Sequence, residues 1–322
     1  LTTQAPPAIN RRNIGDVAVT TSETKQTPTA RPLDLKSGLG TLRELVAITK
    51  PRITLMVVLT AAGGMWLAPG HTSAVTVLVA LGALAQVVAG ANALNCWLER
   101  DTDRLMRRTA VRPLPAQRLA PTPALIFGLA LGLTSVPILW LWVNPLTALL
   151  GAASLVIYVC VYTPMKQLSW FALLVGAIPG AMPPLMGWTA VTGSIDLPGL
   201  VLFGVLFIWQ IPHFLAIATF RRKEYEAAGL VVLPSVHGDR AARWHSLVWT
   251  AVLLPLSLLL TPLGVAGWFY FAAALLMGGH YFWMSVRAVR SPEGDTSWSR
   301  KVFFSSLAYL PVVFAVLMAD AG

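Results

Sequence analysis

Residues 92–115, NALNCWLERDTDRLMRRTAVRPLP, open as an apolar helix and within a few turns become one of the most charged parts of the chain. Asn95, Glu99 and Asp103 recur at i, i+4 and i+8, a spacing that lays them along one slowly drifting helical face. Two carboxylates and an amide in line at the end of a hydrophobic segment are costly without a cation. A charged side chain within hydrocarbon costs roughly 2.5–3.5 kcal/mol on insertion scales. Magnesium suits such a row, because it takes oxygen ligands, commonly one or two carboxylates, and completes its shell with water and phosphate oxygens. Arg104, Arg107, Arg108 and Arg112 follow at once, and guanidinium forks grip phosphate through paired N–H donors. Carboxylates followed by arginines therefore point to a magnesium-bound diphosphate. The same residues would also make ordinary salt bridges in a cytoplasmic loop, and spacing alone does not separate the two readings.

Two further clusters bear on that choice. YTPMK (162–166) ends an apolar run with a phenol, a hydroxyl and a lone ammonium. WQIPHFLAIATFRRKEYEAAGLVVLP (209–234) buries Gln210 and His213 in a hydrophobic segment and then releases Arg221, Arg222, Lys223, Glu224 and Tyr225. Three polar clusters on successive loops of one side can converge over a single cavity. A lone Gln or His in such a segment also serves as a helix–helix hydrogen bond.

The elements that must position these groups are membrane helices. Of 322 residues 56% are hydrophobic and 12% charged, about half the charged fraction of soluble domains, and mean hydropathy is +0.66. Apolar length and punctuation predict nine spans near 50–69, 72–99, 122–142, 145–163, 171–191, 198–220, 244–264, 267–289 and 300–319. Pro179, Pro183 and Pro184 predict a kinked or partly unwound fifth span. All 24 Lys and Arg fall on alternate connections, which puts the N-terminus and the polar loops in the cytoplasm and the C-terminus outside. The net charge of +10 thus sits between hydrophobic segments rather than in a basic domain, so nucleic acid is excluded as a partner. Cys96 and Cys160 both lie in apolar segments and read as small apolar side chains. Residues 1–40, rich in Thr, Ala, Pro and Gln and without apolar periodicity, read as a disordered tail lacking the hydrophobic core of a secretory signal. The remaining 41–322 form one transmembrane domain.

The run N-x-x-x-E-x-D-x-D-x-x-M-x-R-T-x-x-R-P-L-P from Asn95 to Pro115 resembles the UbiA-type intramembrane prenyltransferases, and within them the protohaem IX farnesyltransferases, or haem O synthases. YTPMK with GAIPGAMPPLMGW (176–188), and WQIPHF with EYEAAGLVVLP, are similar to the other signatures of that family. The likeness covers roughly residues 40–320. It departs after Lys166, where basic residues and an asparagine are frequent in the family and this chain has Gln167-Leu168-Ser169-Trp170. Arg-Arg-Lys-Glu-Tyr-Glu stands where quinone and chlorophyll prenyltransferases carry a second aspartate-rich motif.

The resemblance implies an all-α bundle of nine transmembrane helices; the short loops and the weak transit signal of the tail favour a bacterial plasma membrane over an organelle inner membrane. It implies transfer of farnesyl from farnesyl diphosphate to a vinyl group of haem b, with addition of water to give haem O for haem–copper terminal oxidases. Haem A synthase or oxidase assembly factors are implied as protein partners. Asn95, Glu99 and Asp103 would hold Mg2+, with Lys166 beside them in catalysis. Arg104, Arg108, Arg112, Tyr162 and Lys223 would hold the diphosphate, and His213, Gln210 and Tyr225 would meet the haem. The rivals are a quinone-type acceptor and a polytopic transporter. The transporter expects polar groups through both halves of the membrane, whereas here they gather at one surface.

Overall fold

A computed structural model describes residues 38–321, which form an all-helical bundle without strands among the described residues. In chain order the helices are α1 (Gly38–Ile48), α2 (Pro51–Leu67), α3 (Ala74–Leu98), α4 (Arg100–Arg104), α5 (Pro121–Trp142), α6 (Pro145–Val156), a π-helical turn (Ile157–Tyr162) and α7 (Thr163–Met165). Then follow α8 (Ala172–Thr192), α9 (Leu197–Phe220), α10 (Arg222–Ala227), α11 (Leu233–Val236), α12 (Gly238–Leu258), α13 (Trp268–Val289) and α14 (Ser297–Ala319). The predicted tail lies outside the described residues except for 38–40, which open α1.

Among the described residues six helical runs, Pro145–Met165 counted as one, are long and apolar enough to cross a membrane, or seven if α1 and α2, bent by 51°, count as one broken span. The nine predicted segments each coincide with a long helix or, between 145 and 165, a helical run, yet α2, α12 and α13 fall short on that criterion. α2 has only 17 residues. α12 begins with charged residues, and α13 is rich in Trp, Tyr and Gly, which contribute little hydropathy.

One boundary moved. The expected 244–264 segment is Gly238–Leu258, because Asp239 suits its first turn and Pro262 with Gly264, at φ 73°, ends any continuation. Of the two alternatives for the fifth span, unwinding does not occur: α8 is helical throughout with its three prolines inside. Gly64 of α2 lies against the Pro184 carbonyl, and Gly187 of α8 against that of Ala61, so these backbones meet where no Cβ would fit. The irregular backbone occurs instead at Ile157–Tyr162. Pro164 has no N–H for the preceding turn, and the Thr163 hydroxyl donates to the Tyr158 carbonyl at 2.8 Å. π-Helical turns of this kind concentrate at functional sites.

Packing runs α5–α3–α2–α8–α9, with α12, α13 and α14 layered on the far side of α9. One hydrophobic core lies among α2, α3, α5, α6 and α8, and a larger one among α8, α9, α12, α13 and α14. Between them, bounded by the loop 105–120, a cavity remains. Glu44 of α1, 7% exposed, binds Arg118 of that loop at 3.2 Å and fixes the helix over it.

Candidate active site

The cavity has a volume of about 470 Å³, within the usual range for small-molecule sites. Its charged lining comes from helix ends: Asn95 from the last turn of α3, Glu99 from its C-cap, Asp103 from α4, Arg112 from the following loop and Lys166 just beyond α7. Its apolar lining runs back along α3 to Val87 and includes Leu173, Pro179 and Phe214 from α8 and α9. Twelve residues of helix separate Val87 from Glu99, or about 18 Å at 1.5 Å per residue. A charged mouth therefore leads into a deep greasy channel.

At the mouth each carboxylate meets one cation. Glu99 Oε1 accepts from Lys166 Nζ at 2.6 Å, and Asp103 Oδ2 from Arg112 Nη1 at 2.7 Å. Asn95 is held from both sides: its Oδ1 accepts from Lys50 Nζ at 3.1 Å, and its Nδ2 donates to Thr163 Oγ1 at 3.1 Å. Lys166 Nζ also stands 4.3 Å from the centroid of the Tyr162 ring. Burial opposes the charge on Lys166, but the Tyr162 oxygen and the Glu99 carboxylate outweigh it and push its pKa up. Burial likewise opposes Arg112, and Asp103 reverses the effect, leaving the guanidinium held more firmly protonated than usual. Burial pushes the Tyr225 phenol up, so it keeps its proton.

The fit to a divalent cation turns on one atom. Asp103 is 1% exposed, and its Oδ1 has no hydrogen-bond partner. A buried acceptor left unmet costs about 1–3 kcal/mol. Among the described residues no three His, Cys, Asp or Glu side chains gather closely enough to hold a metal alone. An ion here would use Asp103, Glu99 and the Asn95 amide oxygen and complete its shell from water and substrate, as magnesium does. The donor set fits.

The loops of the three sequence clusters do close over this cavity. Arg108 lines it, and its backbone N–H donates to Glu224 Oε1 at 3.3 Å, joining the loop 105–120 to α10. The Val231 N–H donates to the Lys166 carbonyl at 2.9 Å, drawing the third cluster over the second. Tyr162, Gln210 and Tyr225 line the cavity. Three expected residues do not. Arg104 is exposed and pairs with Asp101 at 3.6 Å, and Lys223 is exposed on α10. His213 turns away from the cavity to α14, where Nδ1 lies 2.7 Å from Ser306 Oγ and the ring packs on Trp209 and Phe303. Its expected contact with haem has no geometric support at this cavity.

Other lining groups escaped the sequence reading. Lys50 stands at the break between α1 and α2 in a left-handed conformation, φ 52° and ψ 64°, unusual for a residue with a side chain and typical of functional strain. Its signal was a lysine before proline at the edge of an apolar run, taken only as a topological charge. Trp170 and Tyr158 also line the cavity. Gln167, at the departure from the family pattern, donates to Thr102 Oγ1 at 2.8 Å, so the altered segment still docks against α4.

A model of the UbiA prenyltransferase family matches residues 57–307. The protoheme IX farnesyltransferase of Myxococcus xanthus is 49% identical over 277 residues, covering 86% of this chain and 94% of the relative. That of Sorangium cellulosum is 50% identical over 281 residues, covering 83% and 100%. Among solved structures, a digeranylgeranylglyceryl phosphate synthase superposes with a TM-score of 0.76 at 14% identity, covering 87% of this chain and 98% of that one. A UbiA homolog from Archaeoglobus fulgidus bound to GPP and Mg2+ gives 0.64 at 16%, covering 85% and 99%. At such identities the likeness speaks for the fold alone.

Proposed function

We propose, from the premise that this chain belongs to the UbiA prenyltransferase family, that it is a multi-pass membrane enzyme transferring farnesyl from farnesyl diphosphate to a vinyl group of haem b. The relatives near 50% identity, matched along almost their whole length, support that acceptor. So does the run Arg-Arg-Lys-Glu-Tyr-Glu, from the N-cap Arg221 into α10, which carries no second pair of aspartates. The observation that carries the reading is the single cavity joining paired carboxylates and cations to a deep apolar channel. It suits a substrate with a diphosphate head and a 15-carbon tail.

In this reading Arg108, Arg112, Lys50 and Lys166 bind the diphosphate and stabilise the charge that gathers on it as the carbon–oxygen bond breaks. Asn95, Glu99 and Asp103 would hold a magnesium ion, which when bound neutralises the leaving group. The bonding electrons leave with diphosphate, and the π electrons of the haem vinyl close on the allylic carbon. Water adds to the cation so formed and releases a proton, giving the hydroxyethylfarnesyl side chain of haem O. Tyr158, Tyr162, Trp170 and Phe214 exclude bulk water and offer π faces to the cation, each contributing about 0.5–2 kcal/mol. Gln210 and Tyr225 are polar groups available to the acceptor.

All nine long helical segments span the membrane in this proposal, with the lysines and arginines on the cytoplasmic side of a bacterial plasma membrane. The deciding experiment incubates purified protein with haem b, farnesyl diphosphate and magnesium and weighs the pigment. Haem O is the expected product. Unchanged haem b, with a quinone precursor prenylated instead, would reassign the acceptor.

A further inference from the structure

A second cavity, of about 370 Å³, lies between the end of α13 and the first turns of α14 and shares no lining residue with the first. Arg287, Arg290 and Lys301 line it together with Trp283, Met284 and Trp298. The three cations are exposed, and none forms an ion pair among the described residues. Asp295 feels the charge of Lys301, yet its two oxygens are engaged by the Ser297 N–H at 2.7 Å and the Ser297 hydroxyl at 3.0 Å.

The cavity is built rather than incidental. Arg243, 5% exposed, donates to the carbonyls of Ser291, Pro292 and Asp295 at 2.6, 3.0 and 2.7 Å and clamps the loop that forms the rim. Its guanidinium lies 5.8 Å from the Trp298 ring centroid. Trp298 is 2% exposed, and its indole N–H has no acceptor. A cavity lined by three cations outside any ion pair, with an unpaired buried donor on one of its lining residues, is a site short of an anion.

The surroundings choose among anions. One turn beyond Lys301 on the same face of α14 stands Phe304, 64% exposed, and one turn before Arg287 on α13 stands Trp283, 51% exposed. Cations therefore sit directly above an outward apolar face, with tryptophan at the boundary, as at a membrane–water interface. Basic pockets between helix ends on that side hold anionic lipid headgroups.

We propose that this cavity binds the phosphate group of an anionic membrane phospholipid, whose acyl chains run along the outer faces of α13 and α14. The full-length protein in mixed micelles, with bound lipid counted by native mass spectrometry, tests it against phosphatidylglycerol, phosphatidylcholine and inorganic phosphate. Phosphatidylglycerol should be retained in preference to phosphatidylcholine, and inorganic phosphate should not displace it. Arg290→Gln with Lys301→Gln should weaken that retention about fivefold per charge, taking about 1 kcal/mol for each, with prenyl transfer in phosphatidylcholine discs unchanged. Trp298→Phe, which removes the unpaired N–H and part of the indole ring but no charge, should weaken retention as well and serves as the test if the double variant fails to fold. Equal retention of the two lipids, retention indifferent to these substitutions, or displacement by inorganic phosphate would each overturn the proposal.

Discussion

Replacing Asp103 with Asn separates a metal-holding carboxylate from a merely structural one. The innermost charged groups of the cavity are Lys50, Arg112 and Lys166 against Glu99 and Asp103, three positive and two negative, a formal +1. Asp103→Asn raises this to +2 while keeping shape, and the amide oxygen can still accept from Arg112. The cavity should then bind diphosphate at least as well and a divalent cation worse. A unit charge about 4 Å from another contributes about 4 kcal/mol at an effective dielectric of 20, and water entering the mouth screens part of it. A loss of about 2–3 kcal/mol is expected, or roughly thirty- to a hundred-and-fifty-fold in the magnesium concentration needed for half-maximal rate.

The assay measures initial haem O formation while magnesium and farnesyl diphosphate are varied independently. The expected pattern is a raised magnesium requirement, a kcat lowered at least tenfold and a KM for farnesyl diphosphate no higher than that of the wild type. The unfolding temperature in detergent without magnesium should fall modestly, since Arg112 keeps an acceptor but loses its counter-charge. A raised KM for farnesyl diphosphate with an unaltered magnesium requirement would mean that Asp103 only positions Arg112, and the metal assignment would fall.

Three further outcomes follow from the geometry. Gly176→Ala would set a methyl group within 2.8 Å of Tyr162 Cζ, shifting the ring beneath Lys166. Overpacking of this kind costs about 1–3 kcal/mol, to be read as a lower unfolding temperature together with reduced turnover, and an unchanged enzyme would show that the ring position is immaterial. Because the folded pKa of Lys166 is raised, its charge is complete below the ordinary lysine value of about 10.4 and is lost only as pH rises through the higher folded one. The pH–rate profile should therefore show no lysine-dependent decline between about pH 7 and 10, and an alkaline limb in that window abolished by Lys166→Arg would contradict this. His213→Ala should lower the unfolding temperature through loss of its bond to Ser306, worth about 0.5–1.5 kcal/mol because Ser306 keeps its bond to the Phe303 carbonyl, with the KM for haem b unchanged. A selective rise in that KM would return His213 to the site.

The sequence placed the long helices well because apolar length, proline and glycine act locally. It left open whether the prolines of α8 would unwind it, since that depends on what packs around them, here Gly64 and Gly187 bringing two backbones together, and the helix stays wound. It misplaced α12 by reading hydropathy over Pro262 as far as Gly264 and by leaving out the charged first turn from Gly238. In the site, the acidic row was legible because its spacing matches one helical face. Gln210 and His213 show the limit of such reading: three residues apart, they differ by about 60° around the axis, enough for one to line the cavity and the other to bind Ser306. Lys50 was hidden for another reason. Its partner Asn95 is 45 residues away, and only the bend between α1 and α2 brings them together.

The pairing of each carboxylate with a cation bears on how the cavity can accept a charged substrate at all. Bare carboxylates beside an apolar channel would cost several kcal/mol each. Glu99–Lys166 and Asp103–Arg112 remove that cost in the cavity without ligands. A diphosphate arriving with a divalent cation offers each group a new partner of the same sign as the old one: phosphate oxygens for Lys166 and Arg112, the metal for Glu99 and Asp103. Charge is exchanged rather than newly buried, so entry need not meet the desolvation penalty that a single ion would. One group has no old partner to give up, Asp103 Oδ1, and on this argument it is where the exchange begins.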